Sequence, residues 1–411
     1  MLHTSIDVLA VLLRVFAGYF VFIALFAFFR KPVFPRSQPK LRIACILAAR
    51  NEEAVISAAV RSLQAQDYPS GLFDIYVIPN NCTDRTEEMA RRAGARILSA
   101  PACVRCKGDA LHYAVETLLP EQYDAFCVFD ADNTAAPDFL SRMNDALLSG
   151  ADIAKGAMRV SNAGRSWVAG CYALYYTMMD FFYSRSRGNL RLSSRLAGTG
   201  FCVRRSVLEA LGGWNTETIT EDAEFSVQCV ANGFRVSFVT DAVTFDEAPE
   251  SFRVSLRQRR RWTSGLMDVA SRFSAKLVQG ARQRGRRLRC LDQLMWVNTP
   301  FVQVASAALC VVSSATSGDF GELASGAAGA VAAGYIGSFL LACFLVFLGG
   351  YSFPKMLRTV FLYPVFVASW LPLQLFSFFF RIRHWQVIRH VGFESEKKHS
   401  AALLPQNADF S

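Results

Sequence analysis

The chain has 411 residues, 52% of them hydrophobic, with 34 Phe and a formal net charge of +10. A mean hydropathy of +0.22 is too apolar for an ordinary soluble enzyme, and the apolar residues are concentrated in runs. The eleven cysteines are odd in number and scattered, which excludes a disulfide framework and fits a reducing compartment.

Residues 8–29 form an apolar run broken only by Arg14, too long for a cleaved signal peptide and read as a first membrane span. Arg30, Lys31, Arg36 and Lys40 follow it. The next stretch, "LRIACILAARNEEAVISAAVRSLQAQ", predicts a strand, a short polar loop and an amphipathic helix. "FDIYVIPNNCTDRTEEMARRAG" repeats the plan, with a strand over 74–78 and a helix entered at Thr83 or Asp84. "CKGDALHYAVETLL" opens another helix, and "YDAFCVFDADNTAAPDFLSRMNDALL" predicts strand, acidic turn and helix. Such alternation predicts a mostly parallel sheet with helices on both faces, its ligand lying beyond the carboxyl ends of the strands. The loops near Ala48, Asn80 and Asp130 emerge there. A dinucleotide-binding domain is excluded by "AARNEE" after the first strand, which has no G-x-G-x-x-G, and no P-loop occurs.

Cys103 and Cys106 form a lone C-x-x-C with no second pair and no nearby His, so they read as loop residues. The five histidines, including His384, His390 and His399, lack metal-ligand spacing. Residues 166–188 read as an interfacial helix with its aromatic face in lipid. Arg282, Arg284, Arg286, Arg287 and Arg289 precede three further uncharged runs at 294–312, 327–348 and 359–380. Basic residues on both flanks place the intervening domain in the cytoplasm, against anionic lipid. Pro364 and Pro372 make 359–380 the best candidate for an interfacial or broken segment, because four full spans would put "RIRHWQVIRH" outside. The expected divisions are 1–40 (N-terminal span and basic flank), 41–290 (cytoplasmic domain), 291–385 (C-terminal membrane region) and 386–411 (polar tail).

Three motifs carry chemistry. Asp130 and Asp132 straddle one residue at a strand end, so both carboxylates can face one pocket; hard oxygen ligands suit Mg²⁺ or Mn²⁺. "TITED" puts Glu221 and Asp222 at the mouth of a helix, where Thr220 and Glu224 resemble a capping box. In "QRRRW", Arg261 offers planar, permanently charged donors for phosphate, while Arg259 or Arg260 can anchor the helix at a membrane surface.

"NEE", "NNCTDRT", "KGDALHYA", "DADNTAAPDFL", "GTGFCVRRSVLEALGGWNTETITED" and "QRRRW" together resemble the membrane-embedded glycosyltransferase family 2 enzymes, which include synthases of cellulose, hyaluronan and poly-N-acetylglucosamine. The likeness covers roughly residues 41–265. It implies a GT-A fold, a nucleotide-sugar donor, a divalent metal (Mg²⁺ or Mn²⁺) and inverting transfer, with UDP-glucose or UDP-N-acetylglucosamine as donor. It also implies roles for individual residues. Glu52 contacts the nucleoside, Lys107 lies near base and ribose, and Asp130 and Asp132 hold metal and diphosphate. Asn80 stands where a base-reading carboxylate is usual, and its amide oxygen can accept from a uracil N–H. Gly198, Thr199 and Gly200 let the acceptor approach, and Gln258 and Trp262 shape the acceptor end. Asp222 is the base that deprotonates the acceptor hydroxyl, with Glu221 as a positioning residue.

The acceptor is a growing glycan or, in the alternative, a lipid, since ceramide-type glucosyltransferases resemble the chain in the same motifs. Few spans leave little material for a self-contained polysaccharide channel unless the chain self-associates or an export partner contributes. The expected setting is the plasma (inner) membrane, multi-pass, in contact with membrane lipids and without nucleic acid. A transporter would want more spans and intramembrane polar pairs, and a binding module would not need both acidic motifs.

Overall fold

The computed structural model describes residues 2–29, 33–317 and 320–382. Arg30, Lys31, His384, His390, His399 and the expected polar tail lie outside the described residues.

Eight strands form one sheet: β1 (Ile43–Ala49), β2 (Phe73–Pro79), β3 (Arg96–Ile97), β4 (Ala125–Asp130), β5 (Thr134–Ala135), β6 (Ile153–Val160), β7 (Phe201–Arg204) and β8 (Val236–Asp246), in the order β3-β2-β1-β4-β7-β6-β8-β5. The pairs β1–β2, β1–β4, β2–β3 and β6–β8 are parallel. Strand β7 runs antiparallel to both β4 and β6, and β5 antiparallel to β8. The sheet is therefore mixed. A short return strand such as β7 carries no crossover helix, so alternation of strand and helix in the sequence could not reveal its direction.

Both faces are covered, which explains why β1, "IACILAA", is apolar along its whole length. Ile43, Cys45 and Leu47 point to one side, against Val60, Leu63, Phe139 and Met143. Ala44 and Ile46 point to the other, against Leu111, Val115, Trp214 and Phe225. Successive residues of a strand face opposite ways, so one oily run feeds two cores.

Three helical segments are long and apolar enough to cross a membrane: Val8–Phe28, Ser325–Leu348 and Phe353–Phe379. A fourth is the pair Arg287–Val297 and Thr299–Ser313, which meet at 53°. The sharp bend thus falls in the run expected at 294–312. The run expected at 359–380 lies within a single candidate span, jointed only at Ser369. Pro364 sits inside helix Phe353–Ala368.

The aromatic face of the interfacial helix expected over 166–188 meets protein in place of lipid. Helix Trp167–Met178 passes through a π-helical turn, Met179–Arg185. Its Tyr172, Tyr176 and Tyr183 are buried. The helix packs in one cluster with Met356, Val360, Tyr363 and Phe366 of the last span. Its aromatic face meets protein because the C-terminal helices fold back over it, a long-range contact invisible to local patterning.

Candidate active site

The acidic turn follows directly from β4. Asp130 closes the strand, and its backbone N–H donates to Thr199 Oγ1 at 3.1 Å. Lys107 opens helix Lys107–Leu118, whose N-terminus is capped by Cys106: the Sγ accepts from Asp109 N–H at 3.4 Å while Asp109 accepts from Cys106 N–H at 3.2 Å. Half of the C-x-x-C pair thereby becomes a helix cap.

From that position Lys107 joins the other elements. Its ammonium donates to Asp130 Oδ1 and, at 2.6 Å, to the carbonyl of Gly198, and lies 3.5 Å from Glu221 Oε1. Burial works against this charge, but Asp130 and then Glu221 hold Lys107 above its usual range. Gly198 adopts φ +67°, and a Cβ there would stand 3.1 Å from Asp130 Oδ2. Glycine meets both requirements at once. The N–H of Gly198 donates to Asp222 Oδ2 at 2.7 Å, and the N–H of Ala223 donates to Asp222 Oδ1 at 2.8 Å. Each carboxylate oxygen of Asp222 is aimed by one backbone donor and keeps a lone pair for another proton.

The expected capping box does not form. Thr220 precedes helix Glu221–Ala231, yet its hydroxyl makes no capping bond. Glu224 instead accepts from the N–H groups of Glu217 (2.9 Å) and Thr218 (2.6 Å). The side chain of Thr220 is turned against Gly265 of helix Phe252–Ala281, where it cannot reach its own helix. Glu221 is buried beside Lys107. Burial raises its carboxyl, Lys107 opposes and Asp222 adds, leaving it at about 6.

The other acidic groups respond in the same direction. Asp132 is pushed up to about 7, by burial first and Asp130 second. Glu52 is pushed up to about 9, by burial and then by Asp132 and Asp130. Negative charge here exceeds the local positive charge, which fits a site for a divalent cation with hard oxygen ligands. No group of three His, Cys, Asp or Glu side chains with metal-binding geometry occurs among the described residues. Asp130 and Asp132 would therefore hold such an ion together with oxygens from a bound diphosphate and water.

The three arginines of "QRRRW" separate by role. Arg259 is fully buried and donates to Phe366 O and Ser369 Oγ, both at 2.9 Å, clasping the joint in the last span. Arg260 donates to Phe380 O at 3.0 Å. Arg261 lines the cavity instead. Gln258 accepts from Tyr172 OH at 2.7 Å. Trp262 lies parallel to Tyr175 with ring centres 6.4 Å apart, and Trp370 continues that aromatic wall.

The acidic turn, the Glu221–Asp222 pair and part of "QRRRW" open on one cavity of about 1480 Å³. Glu52, Asn80, Lys107, Asp130, Asp132, Gly198, Glu221, Asp222, Gln258, Arg261 and Trp262 line it. Thr199 and Gly200 do not. Thr199 is buried behind Asp130, and a Cβ on Gly200 would meet Thr244 at 2.8 Å, so both shape the wall from behind. Asn80 is buried, donating to Cys106 O and accepting from Asn81 Nδ2, both at 3.2 Å. Its carbonyl retains one lone pair.

Sequence reasoning missed Arg195, Asp246 and Glu247, which also line the cavity. Asp246 accepts from Asn133 Nδ2 at 2.8 Å and from Tyr176 OH at 3.2 Å, tying the end of β8 to the acidic turn. "DEAP" after an apolar strand was the available signal, of the same kind as "DAD" after β4. Arg195 follows no comparable pattern.

The family described as "Glycosyltransferase like family 2" matches residues 39–265. The chain is 28% identical over 286 residues to the Bacillus subtilis protein named "Probable glycosyltransferase YdaM", covering 65% of this chain and 67% of that one. It is 28% identical over 235 residues to the "Beta-monoglucosyldiacylglycerol synthase" of Synechocystis, covering 55% of this chain and 48% of the relative, about half its length. Among known structures, the mannosyltransferase PcManGT from Pyrobaculum calidifontis, in complex with GDP-Man and Mn²⁺, superposes with a TM-score of 0.62 at 18% identity, over 91% of this chain and 99% of that one. That likeness establishes the shared fold.

Proposed function

The chain belongs to glycosyltransferase like family 2, and from that premise we propose a membrane-bound inverting transferase that moves a sugar from a UDP-sugar to the hydroxyl of a lipid. Nucleotide-sugar-dependent transfer is the activity of the family. The donor, the base and the acceptor are our reading. One observation supports a lipid acceptor: the cavity holding Asp130 and Asp222 continues between the candidate membrane helices, to Gln303, Cys310 and Leu371, where lipid chains can enter. Its volume of about 1480 Å³ exceeds the ~300–1,000 Å³ usual for one small ligand. A donor and part of an acceptor fit together. The similarity to glucosyldiacylglycerol synthases supports the same reading.

In the proposed reaction the acceptor oxygen attacks the anomeric carbon as the bond from that carbon to the diphosphate breaks. Asp222 takes the hydroxyl proton, and its two backbone donors fix the direction of the free lone pairs. Arg261 receives the negative charge that gathers on the leaving diphosphate. Lys107 orients Asp130 and Glu221. Glu52 and Asn80 border the nucleoside, with the free lone pair of Asn80 accepting from uracil. Trp262 and Tyr175 offer an apolar aromatic face to a sugar ring. Mg²⁺ or Mn²⁺ at Asp130 and Asp132, when bound, neutralises the diphosphate.

The basic flanks Arg36, Lys40, Arg282, Arg284 and Arg289 support a plasma (inner) membrane location with the sheet domain, 41–290, on the cytoplasmic side. The test is to incubate purified protein in lipid vesicles with a panel of radiolabelled UDP- and GDP-sugars and to separate lipid-linked from polymeric product. Label in a lipid-extractable product from a UDP-sugar is expected. Label only in polymer would return the acceptor to a growing glycan, and transfer from GDP-sugars alone would remove the uracil reading of Asn80.

A further inference from the structure

The membrane half of the cavity runs between helix Thr299–Ser317 and helix Trp370–Phe379, where Trp296, Gln303, Ser306, Cys310, Leu371 and Gln374 line it. None of these side chains carries a charge. A lipid phosphate seated there would lack the basic group that such an anion requires. The neutral lining instead suits an uncharged lipid. Asp222 as base also requires an acceptor that presents a hydroxyl, which a phosphate-headed lipid does not need.

One polar pair interrupts this lining. Gln374 is buried, and its Nε2 donates to Gln303 Oε1. The amide nitrogen of Gln303 has no protein partner among the described residues, and Gln303 opens to the cavity. Gln303 is itself exposed to the cavity, so its amide nitrogen is open to an acceptor on a bound ligand. The Gln303–Gln374 bond joins the two helices, as amides in membrane segments commonly do, and leaves the amide nitrogen of Gln303 facing the cavity. The acceptor that an uncharged two-chain lipid offers just below its free hydroxyl is an ester carbonyl.

We propose that Gln303, held by Gln374, binds an ester carbonyl of a neutral acylglycerol whose free hydroxyl is thereby presented to Asp222. This assignment rests on the lipid-acceptor reading above. The pair sets depth: acyl chains leave toward the bilayer between the two helices while the hydroxyl faces the sheet domain. It also sets chemistry, because an ether-linked lipid of equal length has no carbonyl for the amide to meet.

The test uses the full chain in phosphatidylcholine vesicles carrying either a diacylglycerol or the matching dialkylglycerol, with radiolabelled UDP-sugar. The wild-type protein is expected to turn over the ester lipid roughly 3- to 10-fold faster, the scale of one hydrogen bond. Joint substitution of Gln303→Leu and Gln374→Leu should bring that ratio to about one, with UDP titration reporting that the variant is folded. A wild-type ratio of one, which needs no variant to read, overturns the proposal while leaving a lipid acceptor in place. So does a ratio that the folded double variant retains. Label that enters polymer and no lipid overturns both the pair's role and the reading beneath it.

Discussion

Gly265 lies directly against Thr220: a Cβ built on Gly265 would stand 2.4 Å from Thr220 Cγ2 and 2.5 Å from its Oγ1. The bare backbone at this point lets the helix carrying Gln258, Arg261 and Trp262 approach the turn carrying Glu221 and Asp222. Two motifs separated in the chain meet beside that contact, which continues into the packing of Val227 and Val230 with Val269, Ala270 and Phe273.

Gly265→Ala should therefore separate them. Alanine favours the helix by about 1 kcal/mol, but overpacking typically costs about 1–3 kcal/mol, so a modest net loss of stability is expected. Displacing Arg261 and Trp262 from the carboxylates should lower turnover by up to about 10²-fold, with UDP affinity changed less. Native turnover in a well-folded Ala variant would show that the spacing of the two helices is not critical.

Asp222→Asn keeps size and hydrogen-bonding reach while removing proton acceptance. Turnover should fall by about 10² to 10⁴-fold with UDP affinity nearly unchanged, and stability should fall by about 1–3 kcal/mol, because the amide nitrogen cannot accept from the N–H of Gly198 or Ala223. Thr220 makes no capping bond, and Asp222 spans Gly198 and Ala223. A purely structural role would appear as that loss of stability with turnover of the folded variant retained. Full activity in the Asn variant would move the search for the base to Glu221.

Glu52 predicts a pH dependence of stability. Its carboxyl is raised to about 9 from an ordinary 4.5, so the folded chain binds more protons than the unfolded one between those values. Stability from this group is complete at pH below the ordinary value and is lost as pH rises through the folded one. The metal-free protein should melt at progressively lower temperature from about pH 5 to about pH 9, and Glu52→Gln should flatten the alkaline part. An unchanged alkaline slope in the Gln variant would place the excess protonation elsewhere.

Metal removal gives a further check on the acidic turn. EDTA should abolish transfer and Mg²⁺ or Mn²⁺ should restore it, because Asp130 and Asp132 are read as the protein's ligands. Calorimetric titration of Mn²⁺ in the presence of UDP should lose its signal in Asp132→Asn. Full activity in metal-free buffer would leave the diphosphate to the cationic side chains of the cavity, Lys107, Arg195 and Arg261 among them.

The strands and helices around Ala48, Asn80 and Asp130 were legible because each depends on local patterning: apolar runs ending in polar turns, with helical periodicity after them. The acidic and basic motifs were legible for a related reason, since their spacing alone restricts what the side chains can reach. Thr220 was misread as a cap because capping is judged from four consecutive residues, whereas Gly265 decides where its side chain turns. The same holds for the arginines of "QRRRW". The motif set Arg261 apart, but nothing local placed the other two inside the protein: the joint at Ser369 claims Arg259 and the carbonyl of Phe380 claims Arg260, while Arg261 lines the cavity. Tyr172 and Tyr176 looked lipid-facing until the last span covered them. The amino-acid sequence by itself determined which chemical groups are present and which segments avoid water. Tertiary structure decided which of those groups share a cavity, because long-range packing, unlike periodicity, depends on residues distant in the chain.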